Sequence, residues 1–223
     1  MRAAPLPPRR DSFALSLSAL RRRLRQGEDA PGDALPIQRI AEDLKLSTTP
    51  VREALSRLAG EDLVEKRGPA YTRPHLDGST LAELYNLRLI YLMAALAPDV
   101  ERRAARRRLP AREPLDLTGQ LAQGAAPAEL IEALFLEIML GGDDLILAQV
   151  YQRAAARLAP FSATEAEILA DVAPEALKLV EAFEARDTAG LRLGVRRYHR
   201  RRVAAAHAIS RLADGGKYRP VII

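Results

Sequence analysis

Apolar residues recur at helical spacing through much of the chain, and this pattern predicts a mainly α-helical protein. A first helix is indicated by one apolar face, formed by Phe13, Leu17, Leu20 and Leu24. After a break at 27–32, a second and shorter helix has its own apolar face, formed by Ile37, Ile40, Ala41 and Leu44. Runs of β-branched residues are almost absent outside residues 63–72 and the last few positions.

A third helix and a hairpin are predicted to follow. Lys45 and Leu46 form a tight turn, Ser47 is placed to cap the helix, and the inward face is Val51, Leu55 and Leu58. Proline is tolerated in the first turn, where Pro50 stands. Residues 63–73 have the pattern of a small hairpin. Helix, helix, turn, helix and hairpin is the order of a winged helix-turn-helix.

The third helix carries the candidate chemistry. A helix-turn-helix inserts the N-terminal part of this helix into the major groove of DNA. An arginine one turn into the helix, such as Arg52, can bind a guanine with two hydrogen bonds. We therefore assign DNA contact to residues of the helix and of the hairpin tip: Ser47, Thr48, Thr49, Pro50, Arg52, Ser56, Lys66, Arg67 and Gly68. In the alternative, structural interpretation, Ser47 only caps the helix and Arg52 only pairs with Glu42 or Glu53.

Composition narrows the class of protein. The 223 residues carry 34 basic and 29 acidic side chains, a net charge of +5 that permits a polyanionic partner. The absence of cysteine excludes a disulfide scaffold, a zinc ribbon and a thiol nucleophile. No apolar run approaches the roughly 18 residues of a membrane-spanning helix, and residues 1–10 lack the apolar segment of a secretory signal. We therefore expect a cytoplasmic protein.

Turn-forming residues at 73–78 indicate a domain boundary. We predict a basic disordered tail at 1–11, the winged helix-turn-helix at 12–75, an all-helical bundle at 79–213 and a C-terminal tail at 214–223. Within the bundle, helices are expected at 81–96 and then at about 99–109, 115–123, 127–140, 144–159, 164–186 and 188–212. Pro174 divides the helix expected at 164–186 or marks a loop, and Asp187 with Thr188 caps the last helix.

Residues 40–58, Ile-Ala-Glu-Asp-Leu-Lys-Leu-Ser-Thr-Thr-Pro-Val-Arg-Glu-Ala-Leu-Ser-Arg-Leu, resemble the signature of GntR-family transcriptional regulators. The preceding residues 27–35 are similar to the family's G-x-x-x-P-G-x-x-L loop. Two positions depart from the family pattern: Thr48 stands where an arginine is usual, and Asp62 replaces a glycine. The resemblance implies a DNA-binding regulator, with repression as the usual outcome, although Thr48 removes the family's usual base contact.

The second part of the chain resembles the all-helical ligand-binding domain of the FadR/VanR subfamily. Residues 83–89, Glu-Leu-Tyr-Asn-Leu-Arg-Leu, look like its first helix, which usually carries an arginine, here Arg88. An enzyme is not indicated, because the sequence has no Glu-x-x-His pair, no glycine-rich phosphate loop and no nucleophile motif. His199 and His207 stand eight residues apart, roughly 80° around a helix, and so do not share one face.

Many members of the subfamily bind a divalent metal through one aspartate and three histidines. Position by position, these ligands fall on Glu132, Leu136, Ala176 and His199, so one histidine of three is present. One imidazole and one carboxylate make a poor set of metal ligands. We therefore predict that this chain binds no metal and needs no cofactor. His199 is then either a residue of a ligand pocket or a partly exposed histidine of an arginine-rich helix.

Four residues are candidates for binding a small-molecule effector: Arg88, Glu132, Arg196 and His199. A guanidinium matches a carboxylate with two hydrogen bonds, which favours an organic acid, although Arg88 could equally pair with a nearby glutamate. The arginine-rich runs 102–108 and 200–202 are expected to be solvated helix faces. Two-fold symmetry of a homodimer predicts a near-palindromic operator. In the alternative function, the bundle serves only for dimerisation or protein interaction.

Overall fold

The computed structural model describes residues 9–97, 116–141 and 144–215, with only the backbone at 9, 10, 118, 121 and 122. The helix predicted at 99–109, the arginine-rich run 102–108 and most of both predicted tails lie outside these ranges. The chain divides into two compact units, Met1–Leu76 together with Ala213–Ile223, and Asp77–Leu212. No helix within the described ranges has the length and apolar character required to cross a membrane.

The first unit consists of three helices and a two-stranded hairpin: α1 (Arg9–Gln26), α2 (Ile37–Asp43), α3 (Thr48–Ala59), β1 (Glu65–Arg67) and β2 (Ala70–Thr72). α1 and α2 both pack against α3. Because α1 begins at Arg9, residues 9–11 of the predicted tail are helical.

α3 is held by the apolar face that the sequence predicts. Val51, Leu55 and Leu58 are fully buried and belong to the same core as Leu20 and Leu24 of α1. Burial removes each of these side chains from water, which stabilises the fold by about 1.5–3 kcal/mol per large aliphatic residue.

Two predictions at the start of α3 need correction. Ser47 stands at the N-cap with an extended backbone, but its side chain makes no capping hydrogen bond. Pro50 is buried against the core, so it cannot contact DNA as predicted. Its position in the first turn, where backbone N–H groups have no partner within the helix, explains why proline is tolerated there.

The hairpin is extended by the loop that precedes α2. Strands β1 and β2 are antiparallel with Glu65 opposite Thr72, and Ala34 forms an isolated bridge to Thr72 on the other side. Leu35 N–H donates to the carbonyl oxygen of Tyr71 at 2.7 Å. The loop at 27–35 thereby anchors the base of the hairpin.

Asp29 holds this loop in place. Arg23 of α1 donates from Nε at 2.7 Å and from Nη2 at 2.6 Å to the two carboxylate oxygens of Asp29. Buried Arg73, which follows β2, donates from Nη1 to the backbone carbonyl of the same residue. Paired guanidinium–carboxylate hydrogen bonds of this kind are the strong, directional ones, so α1 and the end of the hairpin are both fastened to residue 29.

The turn that follows α3 contains a residue with a left-handed backbone conformation. Leu63 N–H donates to the carbonyl of Leu58 at 3.0 Å, and Asp62 between them has a φ of 59°. This conformation costs little for glycine and more for residues with a Cβ. The geometry accounts for the glycine that is usual at this position in the family that the sequence resembles.

The described residues of the second unit form helices and no strand: α4 (Gly78–Ala95), α5 (Leu117–Ala122), α6 (Pro127–Gly141), α7 (Leu145–Leu158), a 3-10 turn (Ala159–Phe161), α8 (Ser162–Ile168), α9 (Val172–Glu184) and α10 (Thr188–Ala213). Four of these helices begin at an aspartate whose carboxylate accepts a backbone N–H three residues on: Asp77, Asp116, Asp144 and Asp187. Such caps satisfy otherwise unpaired N–H groups of the first turn. Asp187 caps α10 as predicted.

α6 lies at the centre of this unit and packs against α4, α7 and α9. Its buried residues join one core with residues of those helices: Leu130, Leu134, Phe135 and Ile138. The helix predicted at 164–186 is two helices, because Asp171 takes a left-handed conformation between them. Pro174 lies in the first turn of α9, just after this break.

The start of α4 lies against α10 without room for a side chain. A Cβ built on Gly78 would lie 2.6 Å from Cα and 2.5 Å from Cγ of His207. Real Cβ atoms do not approach other atoms this closely, and a backbone atom cannot rotate away. Glycine at position 78 is therefore required by the packing of α4 on α10.

Candidate functional site

The first candidate site is the solvent-facing side of α3. Ser47, Thr49, Arg52 and Ser56 are exposed, and Thr48 is half-buried. The buried residues Val51, Leu55 and Leu58 lie on the opposite face. This arrangement presents hydroxyl groups and one guanidinium at the N-terminal part of the helix, where the helix dipole also favours a phosphate. Of the predicted α3 contacts, Pro50 alone is turned inward.

The structural alternative for Arg52, in which it only pairs with Glu42 or Glu53, is not realised. Within the described ranges its guanidinium forms no ion pair with Glu42 or Glu53, and the side chain is exposed. Its donors therefore remain available to a ligand outside the chain. A guanidinium in this position can satisfy O6 and N7 of one guanine together.

Several neighbouring arginines are engaged within the protein. Glu61 accepts from Arg21 at 2.8 Å and from Arg57 at 2.9 Å. Burial alone raises the pKa of the Glu61 carboxyl, but the hydrogen bonds and charges of both arginines outweigh it and lower that pKa. The carboxylate therefore stays ionised and offsets part of the positive charge of this surface.

The hairpin tip carries the remaining predicted DNA contacts. Lys66, Arg67 and Gly68 are all exposed. Arg67 donates to the carboxylate of Glu65 at 2.8 Å, so part of its hydrogen-bonding capacity is used within β1. Lys66 on the same strand is the cation best placed for a phosphate contact, since no ion pair within the described ranges involves it.

The second candidate site lies inside the helical unit, around Arg88 of α4. The Arg88 side chain is only 1% exposed. Its Nε donates to Nε2 of His199 at 3.1 Å, and its Nη1 donates to Oε1 of Glu132 at 2.8 Å. Three of the four predicted effector residues are thus brought together from α4, α6 and α10. Pairing of Arg88 with a glutamate, the open alternative, is also realised in this structure.

Aromatic rings enclose the guanidinium. The carbon at its centre lies 5.5–5.7 Å from the ring centroids of Tyr85, Phe135 and Tyr198. His199 stacks on Phe135 with ring centroids 5.6 Å apart. Cations are attracted to such ring faces, and more strongly where water is excluded. The rings therefore help to hold a buried charge that has one carboxylate, Glu132, in direct contact among the described residues.

His199 is fully buried, and its hydrogen bonds fix its protonation state. Because an arginine nitrogen can only donate, Nε2 of His199 accepts, and Nδ1 carries the proton that it shares with the carbonyl of Val195 at 2.8 Å. Burial and then the positive charge of Arg88 lower the pKa of the imidazole well below 6.5. His199 is therefore neutral, which excludes the predicted alternative of a partly exposed histidine.

Two buried polar atoms beside this cluster lack partners. Nη2 of Arg88 and the hydroxyl of Tyr151 on α7 make no hydrogen bond within the described part of the chain. Burial and then the charge of Glu132 raise the pKa of Tyr151, so its hydroxyl is a neutral donor. A buried group without a partner costs about 1–3 kcal/mol. Two donors of this kind near one guanidinium indicate a site for an acceptor that comes from outside.

Arg196 does not belong to the cluster. It is exposed on α10, and the buried face of that helix is formed instead by Val195, Tyr198, His199 and Arg202. The prediction of Arg196 as an effector contact is therefore wrong. Sequence spacing alone could not decide whether Arg196 or Arg202 lies beside His199. Each is three residues from His199, and side chains three residues apart on a helix are neighbours.

Sequence reasoning missed an ionic network that adjoins the cluster. Arg202 is 3% exposed and donates from Nε to Glu165 at 2.6 Å and from Nη1 to Glu175 at 2.9 Å. Tyr85 donates to the other oxygen of Glu165, also at 2.6 Å. The expectation that 200–202 form a solvated face therefore fails at Arg202. Both carboxylate oxygens of Glu165 accept hydrogen bonds within the protein. We therefore assign this network a structural role, because Glu165 has no unpaired oxygen to offer a ligand.

The metal site implied by the family does not fit these residues. Leu136 and Ala176 replace two histidines and carry no donor atom. The Nε2 lone pair of His199 is occupied by the Arg88 N–H, and a second cation there would meet the guanidinium charge. Within the described ranges, no group of three or more His, Cys, Asp or Glu side chains is placed to hold a metal.

Comparison with known structures shows that the fold is shared over most of the chain. E. coli McbR/YncC is 22% identical with a TM-score of 0.64, and the match covers 88% of this chain and 97% of that chain. A GntR transcriptional regulator from Rhodococcus sp. RHA1 is 15% identical with a TM-score of 0.62, covering 94% and 100% respectively. Lar, described as controlling the Listeria monocytogenes agr system, is 13% identical with a TM-score of 0.51, covering 93% and 99%.

Comparison with curated proteins gave no match. Residues 17–69 match the family model described as "Bacterial regulatory proteins, gntR family". That range contains most of α1, all of α2 and α3, and the first strand of the hairpin. Members of this family are DNA-binding transcription factors and not enzymes. The first unit therefore contains a gntR-family DNA-binding domain, the domain by which transcriptional regulators of that family bind DNA.

Proposed function

We propose that the chain is a cytoplasmic repressor that binds a near-palindromic operator as a homodimer and is controlled by a small carboxylate. In this proposal residues 12–75 bind DNA, and residues 79–213 bind the effector and form the dimer. The observation that carries the effector part is the buried guanidinium of Arg88, one nitrogen of which has no partner in the part of the chain that the structure describes. The DNA part rests on the exposed hydroxyls and guanidinium of α3.

DNA recognition would use two kinds of contact. Arg52 reads a guanine in the major groove, while Ser47, Thr49 and Ser56 reach phosphates or base edges. Lys66 adds a contact to the backbone that does not depend on sequence. A dimer presents two copies of α3, so its operator has two similar half-sites in opposite orientation.

The effector would act through its preference for one arrangement of the helical unit. A carboxylate bound at Arg88 would accept from the unpaired donors of Arg88 on α4 and Tyr151 on α7, so it stabilises the arrangement in which those donors converge. A ligand that binds one conformation more tightly shifts the population toward it, and operator affinity then changes by the same coupling free energy. Repression is the outcome expected for this family.

Mapping of bound sites across the genome, followed by titration of one recovered site, tests the DNA part. Arg52→Ala should weaken operator binding about 10- to 100-fold, the effect of losing one good base contact. Arg153→Ala removes the same charge from an exposed position on α7 and serves as the matched control. Operator affinity that is equal in the wild type and Arg52→Ala would remove Arg52 from the mechanism.

A second candidate function has the helical unit serving only for association. Large apolar side chains are exposed on it, at Ile90 of α4, Leu145 and Ile146 of α7 and Leu193 of α10, each 62–74% exposed. Such residues favour an interface. A thermal-shift screen with carboxylic acids separates the two functions, because only a ligand that binds the folded state raises the melting temperature. No response across the screen favours association alone.

A further inference from the structure

We propose that Lys45 makes a further contact with DNA, to a phosphate of the backbone, from the turn between α2 and α3. The inference rests on the proposed recognition of DNA by α3, and it adds a residue outside the contacts predicted for α3 and the hairpin. Its ligand is a phosphate of duplex DNA, bound through charge and without regard to base sequence.

The turn places Lys45 immediately before the helix proposed to read DNA. Lys45 N–H donates to the carbonyl of Glu42 at 3.0 Å, and Leu46 N–H donates to the carbonyl of Ala41 at 2.9 Å. These two bonds close the C-terminus of α2 as a Schellman motif. Ser47, the N-cap of α3, follows two residues after Lys45. Because consecutive Cα atoms are about 3.8 Å apart, the Cα atoms of Lys45 and Ser47 lie no more than about 7.6 Å apart.

Lysine is an unfavourable residue at this point of the backbone. Lys45 has a φ of 56°, in the left-handed region. Glycine adopts this conformation at little cost, whereas a Cβ is crowded there, so glycine is the usual residue at this position of the motif. The fold alone therefore favours glycine over lysine. The conformation does not by itself assign a role to the side chain, because Arg186 after α9 has a similar φ of 55°.

The charge of Lys45 is available to a ligand outside the chain. Its side chain is exposed, and no carboxylate among the described residues forms an ion pair with it. Ser47 and Thr49 are exposed as well, while Leu46 and Thr48 between them are half-buried. The exposed side chains of the turn and of the start of α3 therefore combine one ammonium group with the hydroxyls proposed to contact DNA.

The charges around Lys45 make a cation at this position useful for binding DNA. Four other cations of the first unit are held in ion pairs: Arg21, Arg23, Arg57 and Arg67. Two exposed carboxylates on the last turn of α2, Glu42 and Asp43, oppose the approach of a phosphate. Lys45 follows them directly and offsets one of their two charges. An unpaired ammonium group here favours a polyanion next to the start of α3.

Two substitutions separate the charge of Lys45 from its backbone conformation. Lys45→Ala and Lys45→Gly both remove the ammonium group, but only Lys45→Gly also relieves the left-handed backbone. Lys45→Gly should therefore melt about 3 °C above Lys45→Ala. Both variants should bind a duplex of about 30 base pairs and arbitrary sequence about fivefold more weakly than the wild type at ~0.15 M salt. The slope of log K against log salt concentration should fall by about one.

Two further variants serve as controls. Lys45→Arg keeps the charge and should bind the duplex within about twofold of the wild type, with an unchanged salt slope. Arg186→Ala removes an exposed cation with the same backbone conformation from the second unit, and it should leave affinity and slope unchanged. An equal fall in slope for Arg186→Ala and Lys45→Ala would overturn the proposal, because the net charge of the chain would then explain both.

A structural role for Lys45 predicts a different result. A cation at the C-terminus of α2 also interacts favourably with the dipole of that helix. If this is its only role, Lys45→Ala and Lys45→Gly bind the duplex with the affinity and salt slope of the wild type, and the proposal is overturned. Weaker binding by Lys45→Gly, combined with a melting temperature above that of Lys45→Ala, supports the phosphate contact because loss of stability does not explain it.

Titration of a recovered operator separates this inference from the proposed function. If Arg52→Ala weakens operator binding while Lys45→Ala binds every duplex as the wild type does, recognition by α3 is supported and the contact of Lys45 is refuted. If Lys45→Ala lowers the salt slope while Arg52→Ala leaves operator affinity unchanged, the contact of Lys45 is supported and the reading of bases by Arg52 is refuted.

Discussion

Nε of Arg88 donates a hydrogen bond to Nε2 of His199 across 3.1 Å, and both side chains are buried. The contact uses the nitrogen that an imidazole would offer to a metal, and it forces the proton onto Nδ1. His199 therefore positions Arg88 by engaging its Nε, while Nη1 donates to Glu132. Neutrality of the imidazole is the property on which this arrangement depends, since a protonated His199 would place two cations in contact.

The first prediction follows from that neutrality. The pKa of His199 is lowered well below 6.5, so acid protonates this histidine in the unfolded chain before it does so in the folded one. Stability is therefore lost as the pH falls below about 6.5. Between pH 7 and pH 5, the free energy of unfolding should fall by up to about 2 kcal/mol more for the wild type than for His199→Gln. Denaturant titrations at several pH values measure this difference, with His207→Gln at an exposed position as the control.

The second prediction concerns metals. Because Leu136 and Ala176 carry no ligand atoms and Nε2 of His199 is engaged by Arg88, added zinc, nickel or manganese should not bind at this cluster. Elemental analysis after incubation and desalting measures the metal content, and His199→Gln should leave it unchanged. Stoichiometric metal in the wild type that is lost in His199→Gln would contradict the structure-based assignment.

The third prediction separates phosphate contacts from base contacts. Lys66→Ala should reduce the dependence of operator affinity on salt by about one unit in the slope of log K against log salt concentration, because one fewer counter-ion is released. The loss of affinity should be similar for operator and unrelated DNA. Lys178→Ala, exposed on α9, removes an equal charge from the other unit as the control. A Lys66→Ala effect confined to the operator would indicate base contact instead.

The fourth prediction concerns stability of the first unit. Asp62 holds a φ of 59°, which favours glycine, so Asp62→Gly should raise the free energy of unfolding by about 0.5–1 kcal/mol. Asp33→Gly is the matched control, because Asp33 is also exposed and has an ordinary negative φ. There the added freedom of the unfolded chain should lower stability by a similar amount. Equal effects of the two substitutions would show that Asp62 is not strained.

Much of the first unit could be predicted from the sequence, because its signals are local. The apolar spacing of Val51, Leu55 and Leu58 determines which side of α3 is buried and hence which side is available to DNA. The left-handed turn at Asp62 and the inward position of Pro50 were not evident, since both depend on how α3 meets its neighbours.

The interior of the second unit was predicted only in part. Arg88, Glu132 and His199 were identified together, but the inward position of Arg202 was missed and Arg196 was placed wrongly. A run of arginines on one helix has no apolar periodicity to indicate its buried side. Burial of Arg202 depends instead on Glu165 and Glu175, which come from α8 and α9 and are distant in sequence.

The contact of Gly78 with the backbone of His207 has a consequence for how this protein can change. In a saturation library selected for folded protein, position 78 should return glycine alone, even though the rest of the first turn of α4 accepts many residues. Designers who wish to stabilise α4 by the usual replacement of a helical glycine with alanine should leave this one untouched.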